Sequence, residues 1–496
     1  MKLSLPAWLL SSLLAPVLLA AIFVWSRAGE SLDMANHEGM ELSQALLWSR
    51  QPAAVLRVQP NPPGLYTRLL AAGFKVFDLS AASARLFSLV SATAMLVAIG
   101  WLLRQVVGTC GSLMGGTLLF SAHGMLSLAM AALPGLPAIS WALVSVALVY
   151  EPSRPPHWIR LFLSGAVWAF AINLDPSAWL FGPAFLVLVF CEWGWKAVVR
   201  GLGFWMPGFV ATSLVIALTA PTLNWKLLLG VLPQAGLEPA FHWNALPSNP
   251  GLLLAALCGE LYLVRRKAPA PLLFALVWLA TVSLPTGVRP QSGIAQFYVP
   301  LAILGAIGFA SMFSDAITAF RSSSSQSANN KSRSSPNRNG LNALGAITIF
   351  AFWVGFAVPD FVSDLTQLNH LPNVKRDGFC LSIRQYAPAT HWCYTRFPEY
   401  AFAGDVLLPP EVIGTPSKLF EHDPANESAL KVVQWYQPEQ LLLAGNMEMQ
   451  NSAWVSWMTN DYVLVYQAGQ KELWVSRRLH PAPIPPPNAL LQKLGL

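Results

Sequence analysis

Apolar stretches recur along the first 358 residues, broken by short polar segments, and most approach the roughly 20 residues that a spanning helix needs. They predict about eleven transmembrane helices: Leu3–Val24, Ala81–Leu103, Cys110–Ala131, Gly135–Tyr150, Trp158–Asn173, Ala178–Cys191, Leu202–Ala220, Gly251–Val264, Pro271–Leu284, Gln296–Phe313 and Leu341–Val358. The first is preceded by a single Lys2 and followed by no small-x-small cleavage site, so it reads as an uncleaved helix rather than a signal peptide.

Lys and Arg mark which face each loop occupies. Alternate loops carry Arg104, then Arg154 with Arg160, then Lys196 with Arg200, then Arg265-Arg266-Lys267, then Arg321, Lys331, Arg333 and Arg338. This puts those loops and the N-terminus in the cytoplasm, and an odd number of spans then leaves the C-terminal part outside. The expected location is a plasma membrane, with the C-terminal domain on its outer side.

Two connections are long. Residues 26–80 form a first external loop with juxtamembrane helices, and 321–340 is a Ser/Asn-rich cytoplasmic linker of the kind that stays disordered. Beyond 358 the pattern changes. Short alternating runs (Lys431–Trp435, Gln440–Ala444, Tyr462–Gln467, Glu472–Ser476) predict strands, and Asp377–Tyr386 predicts a helix. The fold class is therefore an all-α polytopic membrane domain, 1–358, followed by a small external α/β domain, 359–496.

Composition supports this division. The 496 residues are 54% hydrophobic and only 11% charged, against roughly a quarter charged in a soluble domain. The net charge of +7 is accounted for by basic cytoplasmic loops, and no Lys/Arg stripe interleaved with aromatics points to nucleic acid. Of the five cysteines, Cys110, Cys191 and Cys258 lie in apolar helices, and Cys380 and Cys393 are expected to pair in an oxidising compartment. No zinc-type spacing links them.

The first external loop carries the candidate chemistry. Asp33, His37, Glu38 and Glu41 follow the first helix closely, and Leu65–Phe77 is amphipathic with Arg68 and Lys75 on its polar side. Arg85 enters the second helix, where an ionised group costs roughly 2.5–3.5 kcal/mol at the bilayer centre. A carboxylate held over a bilayer beside cations suits one reaction class: deprotonation of an incoming hydroxyl or amine while cations stabilise a departing lipid phosphate. Plainer roles are also open. Asp33 serves as a helix cap, Glu38 and Glu41 as a solvated face, and Arg68 and Lys75 as snorkelling side chains.

On these residues the chain resembles the GT-C superfamily of polyprenyl-phosphate-sugar-dependent glycosyltransferases, nearest to the aminoarabinose transferase and protein O-mannosyltransferase branch. The likeness runs through His37-Glu38-Gly39, Asn61-Pro62-Pro63-Gly64-Leu65-Tyr66, Ala84-Arg85-Leu86 with the turn Arg104 to Gly108, and Gln296-Phe297-Tyr298-Val299-Pro300. The acidic motif is degenerate: His37-Glu38 stands for an Asp-Glu pair, Ala131-Ala132-Leu133-Pro134 for a second acidic position, and Asn173-Leu174-Asp175-Pro176 for a Lys-bearing turn.

The resemblance implies an inverting hexosyl or pentosyl transferase that moves a sugar from a polyprenyl-phosphate donor to an external glycolipid, polysaccharide or protein acceptor. Asp33, Glu38 and His37 are then the catalytic candidates. Arg85, Arg289 and Tyr298 are the donor-phosphate candidates, Tyr298 being equally suited to an interfacial belt. His242 and Trp243 are candidates for an acceptor cleft. No metal and no cofactor beyond the lipid-linked donor is expected, and the partners are membrane lipid, donor and acceptor. The alternatives are a non-catalytic GT-C-like scaffold and a lipid-linked-sugar transporter.

Overall fold

The structure, a computed structural model, describes residues 7–26, 38–58, 63–77, 79–151, 156–219, 249–283, 290–326, 338–370, 377–414, 427–444 and 452–479. The chain forms two compact units. One comprises Met1–Ser26, Phe87–Met130 and Pro134–Asn369, and the other Arg27–Leu86, Ala131–Leu133 and His370–Leu496. These units divide the chain differently from a single boundary at 358, because Arg27–Leu86 clusters with the C-terminal region.

The first unit is helical. Among the described residues three helices are long and apolar enough to cross a membrane, Ala81–Phe120, Pro176–Thr219 and Gln296–Ser314, and shorter apolar helices include Gly135–Val149, Trp158–Leu174 and Pro269–Val282. Two of the long helices are hairpins. At Gly108 the backbone adopts φ 77°, ψ −165°, a conformation open in practice only to glycine, and the chain reverses there. Ser112 Oγ then donates to the Gly100 carbonyl at 2.7 Å. Gly194, at φ 72°, ψ 167°, interrupts Gly182–Thr219 in the same way. Trp168 touches both arms of that second hairpin, Phe185 at 5.3 Å and Trp205 at 6.3 Å between ring centroids. The expected break after Arg104 is thus a turn at Gly108.

The expected span Cys110–Ala131 is shorter than its hydropathy suggests. Its helix ends at Phe120, Gly124 sits in the left-handed region at φ 79°, and a separate short helix runs over Met125–Ala129. Helix Pro290–Gln326 extends into the linker expected at 321–340, and a further helix starts at Arg338. The core of the first unit includes an aromatic cluster, Trp168 stacked on Phe181 at 5.4 Å and Phe181 edge-on to Trp278 at 4.4 Å, each ring pair adding to the area it buries.

The second unit is mixed. Helices Glu38–Arg50, Pro52–Val58 and Leu65–Val76 come from the segment between the first helix and Ala81–Phe120. Leu65–Val76 buries Tyr66, Thr67, Leu70 and Ala71 on one face, the face its amphipathic spacing predicts. The C-terminal part contributes a four-stranded sheet with strands β1 (Cys393–Thr395), β2 (Gln440–Ala444), β3 (Tyr462–Ala468) and β4 (Lys471–Ser476), in the order β1-β2-β4-β3. β1 is parallel to β2, and the other pairings are antiparallel. Asp377 caps helix Gly378–Tyr386 by accepting from the Phe379 and Cys380 amides at 2.8 and 3.2 Å.

Two expectations are corrected here. Lys431–Trp435 is not a strand but part of helix Glu427–Tyr436. Its β-branched Val432-Val433 pair suggests a strand, but Ala429, Leu430 and Val433 recur at helical spacing and pack into the core around Trp454. Cys380 and Cys393 are both free and buried rather than disulfide-bonded. Each is absorbed as a small hydrophobe, Cys380 on the inner face of its helix and Cys393 on β1.

Candidate functional site

Glu38 opens helix Glu38–Arg50, and its carboxylate is fully buried. Arg85 meets it with a two-pronged grip: Nε donates to Oε1 and Nη2 to Oε2, each at 2.7 Å. The Ala132 amide donates to Oε1 at 2.8 Å. Neither side chain of the pair is exposed to solvent. Such a fork is among the strongest ion-pair geometries, and burial makes each partner depend on the other.

One turn on, Glu41 accepts from Thr67 Oγ1 at 3.1 Å, tying helix Glu38–Arg50 to Leu65–Val76. Ser43 Oγ donates to the Pro398 carbonyl at 2.9 Å. A side chain at Gly39 would meet the Glu399 backbone at 2.6 Å, so only glycine lets helix Pro398–Ala403 come this close. Farther along, Arg50 pairs with Asp405. The helix that starts at Glu38 is therefore clamped at both ends within its unit.

Glu38 and Arg85, expected in separate roles as base and phosphate contact, are thus brought together, and each is engaged by the other. The Ala131–Leu133 segment, where the resemblance expects a second acid, supplies a backbone amide to Glu38 instead. Asp33, His37 and Arg289, with His242 and Trp243, lie outside the described residues. Asp175 is a cap: its carboxylate accepts from the Ser177 amide at 2.7 Å.

Tyr298 lies in the helical unit, buried, and its hydroxyl accepts from Asn249 Nδ2 at 2.7 Å. Asn249 Oδ1 in turn accepts from the His123 amide at 2.9 Å. The His123 Nδ1 lies 2.8 Å from Asp364 Oδ1, with the imidazole 46% and the carboxylate 2% exposed. Asp364 Oδ2 also accepts from the Gly124 amide at 2.8 Å. Asp364 holds the His123 imidazole above its ordinary pKa, with Asp360 adding to the effect and partial burial opposing it. Hydropathy carries a span through His123 and so hides this Tyr298–Asn249–His123–Asp364 chain. The polar His123-Gly124 pair interrupting an apolar run is the signal that marks it.

No protein-family model matches the chain, and no curated protein sequence matches it. Solved structures do. ArnT from Cupriavidus metallidurans bound to undecaprenyl phosphate is 13% identical, with a TM-score of 0.61 over 92% of this chain and 97% of that one. The same protein in its apo state gives 0.62 over 94% and 99%. The Archaeoglobus fulgidus oligosaccharyltransferase tethered with an acceptor peptide is 11% identical, with a TM-score of 0.53 over 93% of this chain and 73% of that one. Over nearly its whole length the chain has the fold of the GT-C membrane glycosyltransferases.

Proposed function

We propose that the chain is an integral membrane glycosyltransferase that moves a sugar from a polyprenyl-phosphate donor to an acceptor on the outer side of the membrane. The observation that carries this reading is the shared fold, which spans 92% of this chain and 97% of an ArnT that was solved with undecaprenyl phosphate. A likeness covering both chains almost end to end supports the reading.

In this reading Asp33 is the general base. It takes the proton of the acceptor hydroxyl, the acceptor oxygen bonds to the anomeric carbon, and the bond from that carbon to the phosphate oxygen breaks with inversion. The electron pair leaves with the polyprenyl phosphate, whose charge Arg289 meets. Glu38 and Arg85 act as positioning residues, their buried pair fixing the helix start that follows Asp33 and His37.

A second reading, a GT-C-like scaffold without catalysis, is favoured by one observation: both oxygens of Glu38 are already engaged by Arg85 and Ala132. The experiment that separates the two uses protein purified in lipid nanodiscs, radiolabelled polyprenyl-phosphate hexose or pentose, and extracted envelope lipids and glycans. Transfer of label by the wild type, lost in Asp33→Asn with an unchanged melting temperature, supports the transferase. Donor left intact by the wild type across these sugars supports the scaffold.

A further inference from the structure

Helix Arg338–His370 buries a stripe of side chains, Trp353, Ala357, Asp364 and Leu368. The spacing is that of an amphipathic helix, but a carboxylate stands where the stripe calls for an apolar side chain. Among residues 358–370 only Asp364 and Leu368 are buried, so one charged group and one leucine fasten the C-terminal end of the helix. A segment with so few buried contacts opens locally at far lower cost than the whole fold. The chain leaves the first unit just beyond, at Asn369.

Asp364 faces the turn that follows Phe120, and its two oxygens are held differently. Oδ2 accepts from the Gly124 amide at 2.8 Å, a bond that does not titrate. Oδ1 has the His123 Nδ1 beside it at 2.8 Å, yet among the described residues no donor is in line with it for a hydrogen bond. That contact works through the charge of a protonated ring. The turn is fixed independently of it, since the His123 amide donates to Asn249 Oδ1 at 2.9 Å and Gly124 adopts φ 79°. The imidazole is half exposed, so it exchanges protons with the solvent. Asp360, one turn before Asp364, is the other charged group acting on the ring, while Asn249 and Tyr298 bring neutral groups. A neutral ring leaves a buried carboxylate oxygen unpaired, a costly state that moving the end of the helix into solvent relieves.

We propose that His123 and Asp364 form a pH-operated clasp, which holds the C-terminal end of helix Arg338–His370 on the Gly124 turn while the imidazole is protonated and lets that end open locally when the proton is lost. The clasp is independent of sugar transfer and stands whether or not the chain is an enzyme. Histidine suits the task because its charge changes within the physiological pH range. The opening is confined to the stretch beyond Ala357, because Trp353 and Ala357 keep the preceding turns buried.

The test is hydrogen–deuterium exchange of the full-length protein in lipid nanodiscs at pH 5.5 and pH 8.5, read by mass spectrometry and corrected for the intrinsic pH dependence of exchange. The expected result is a several-fold loss of protection over residues 361–370 at pH 8.5, with helix Gly135–Val149 equally protected at both values. His123→Gln, on a half-exposed turn, should give the low protection at both pH values. Asp364→Asn, which removes the charge that the ring meets, should also abolish the pH dependence. Protection over 361–370 that is the same at both pH values in the wild type overturns the proposal, as does a pH dependence that persists in His123→Gln.

Discussion

Arg85 holds Glu38 through two hydrogen bonds of 2.7 Å, and neither side chain reaches solvent. Forty-seven residues apart in sequence, they join the start of helix Glu38–Arg50 to the start of helix Ala81–Phe120. Removing one partner leaves the other charge buried and unpaired, which costs about 3–5 kcal/mol, whereas replacing both with apolar groups of similar volume is often neutral. Glu38→Ala and Arg85→Met are each expected to lose about that much stability, and the double variant Glu38→Leu/Arg85→Met to recover a large part of it. Thermal and denaturant unfolding in detergent measure both effects.

Asp33 and Glu38 separate by what they affect. Asp33→Asn is expected to lower transfer by about 10²–10⁴-fold, the usual worth of a general base, with melting unchanged. Glu38→Gln is expected to lower stability and activity together. Single-turnover transfer and melting curves on the same preparations distinguish the two patterns.

The His123–Asp364 contact predicts a pH-dependent stability. Asp364 raises the imidazole above its ordinary value of 6.5, so the folded state binds the proton more tightly than the unfolded chain. The stabilisation is fully present below the unfolded value and is lost as pH rises through the folded one. The melting-temperature gap between wild type and Asp364→Asn should be widest near pH 5.5 and narrow above pH 8. The Asp364 bond to the Gly124 amide does not titrate with the imidazole, so a residual gap is expected to remain.

Gly108 turns the first hairpin at φ 77°, where any side chain is strained. Gly108→Ala is expected to cost about 1–3 kcal/mol, although nothing stands in the space its Cβ would occupy. A thermal-shift comparison with Gly73→Ala, which lies in open space on a regular helix, isolates the backbone effect.

The thiols of Cys380 and Cys393 are expected to be inert. Burial pushes the Cys380 thiol up to about 12, with Asp377 adding to it, and raises Cys393 as well. Maleimide at pH 7.5 should leave both unlabelled in the folded protein and label both after denaturation without reductant, read by peptide mass spectrometry. Labelling that requires reductant contradicts free thiols.

Much of the architecture is legible in the sequence because a membrane imposes a length and a polarity that few other environments do. The long apolar runs, the turn at Gly108 and the amphipathic helix Leu65–Val76 follow from those constraints. Three of the four predicted strands in the C-terminal region are present, at Gln440–Ala444, Tyr462–Ala468 and Lys471–Ser476. The short strand Cys393–Thr395 carries too few residues to show an alternation, and it forms because β2 offers it a parallel edge.

The candidate site is harder to read. Sequence identifies Glu38 and Arg85 as unusual, but not that they choose each other, since pairing over that separation is decided by tertiary packing. The Ala132 amide carries no side-chain signal at all. His123, Asn249 and Asp364 are far apart in sequence and meet where the chain turns between Phe120 and Met125, in a stretch that hydropathy alone would read as one helix.

The most direct measurement of the proposed activity is mass spectrometry of envelope glycolipids and glycans from host cells with and without this chain. The expected result is the disappearance of one hexose or pentose residue from a defined acceptor, restored by the wild-type chain and not by Asp33→Asn. A profile unchanged by removal of the chain contradicts the transferase assignment.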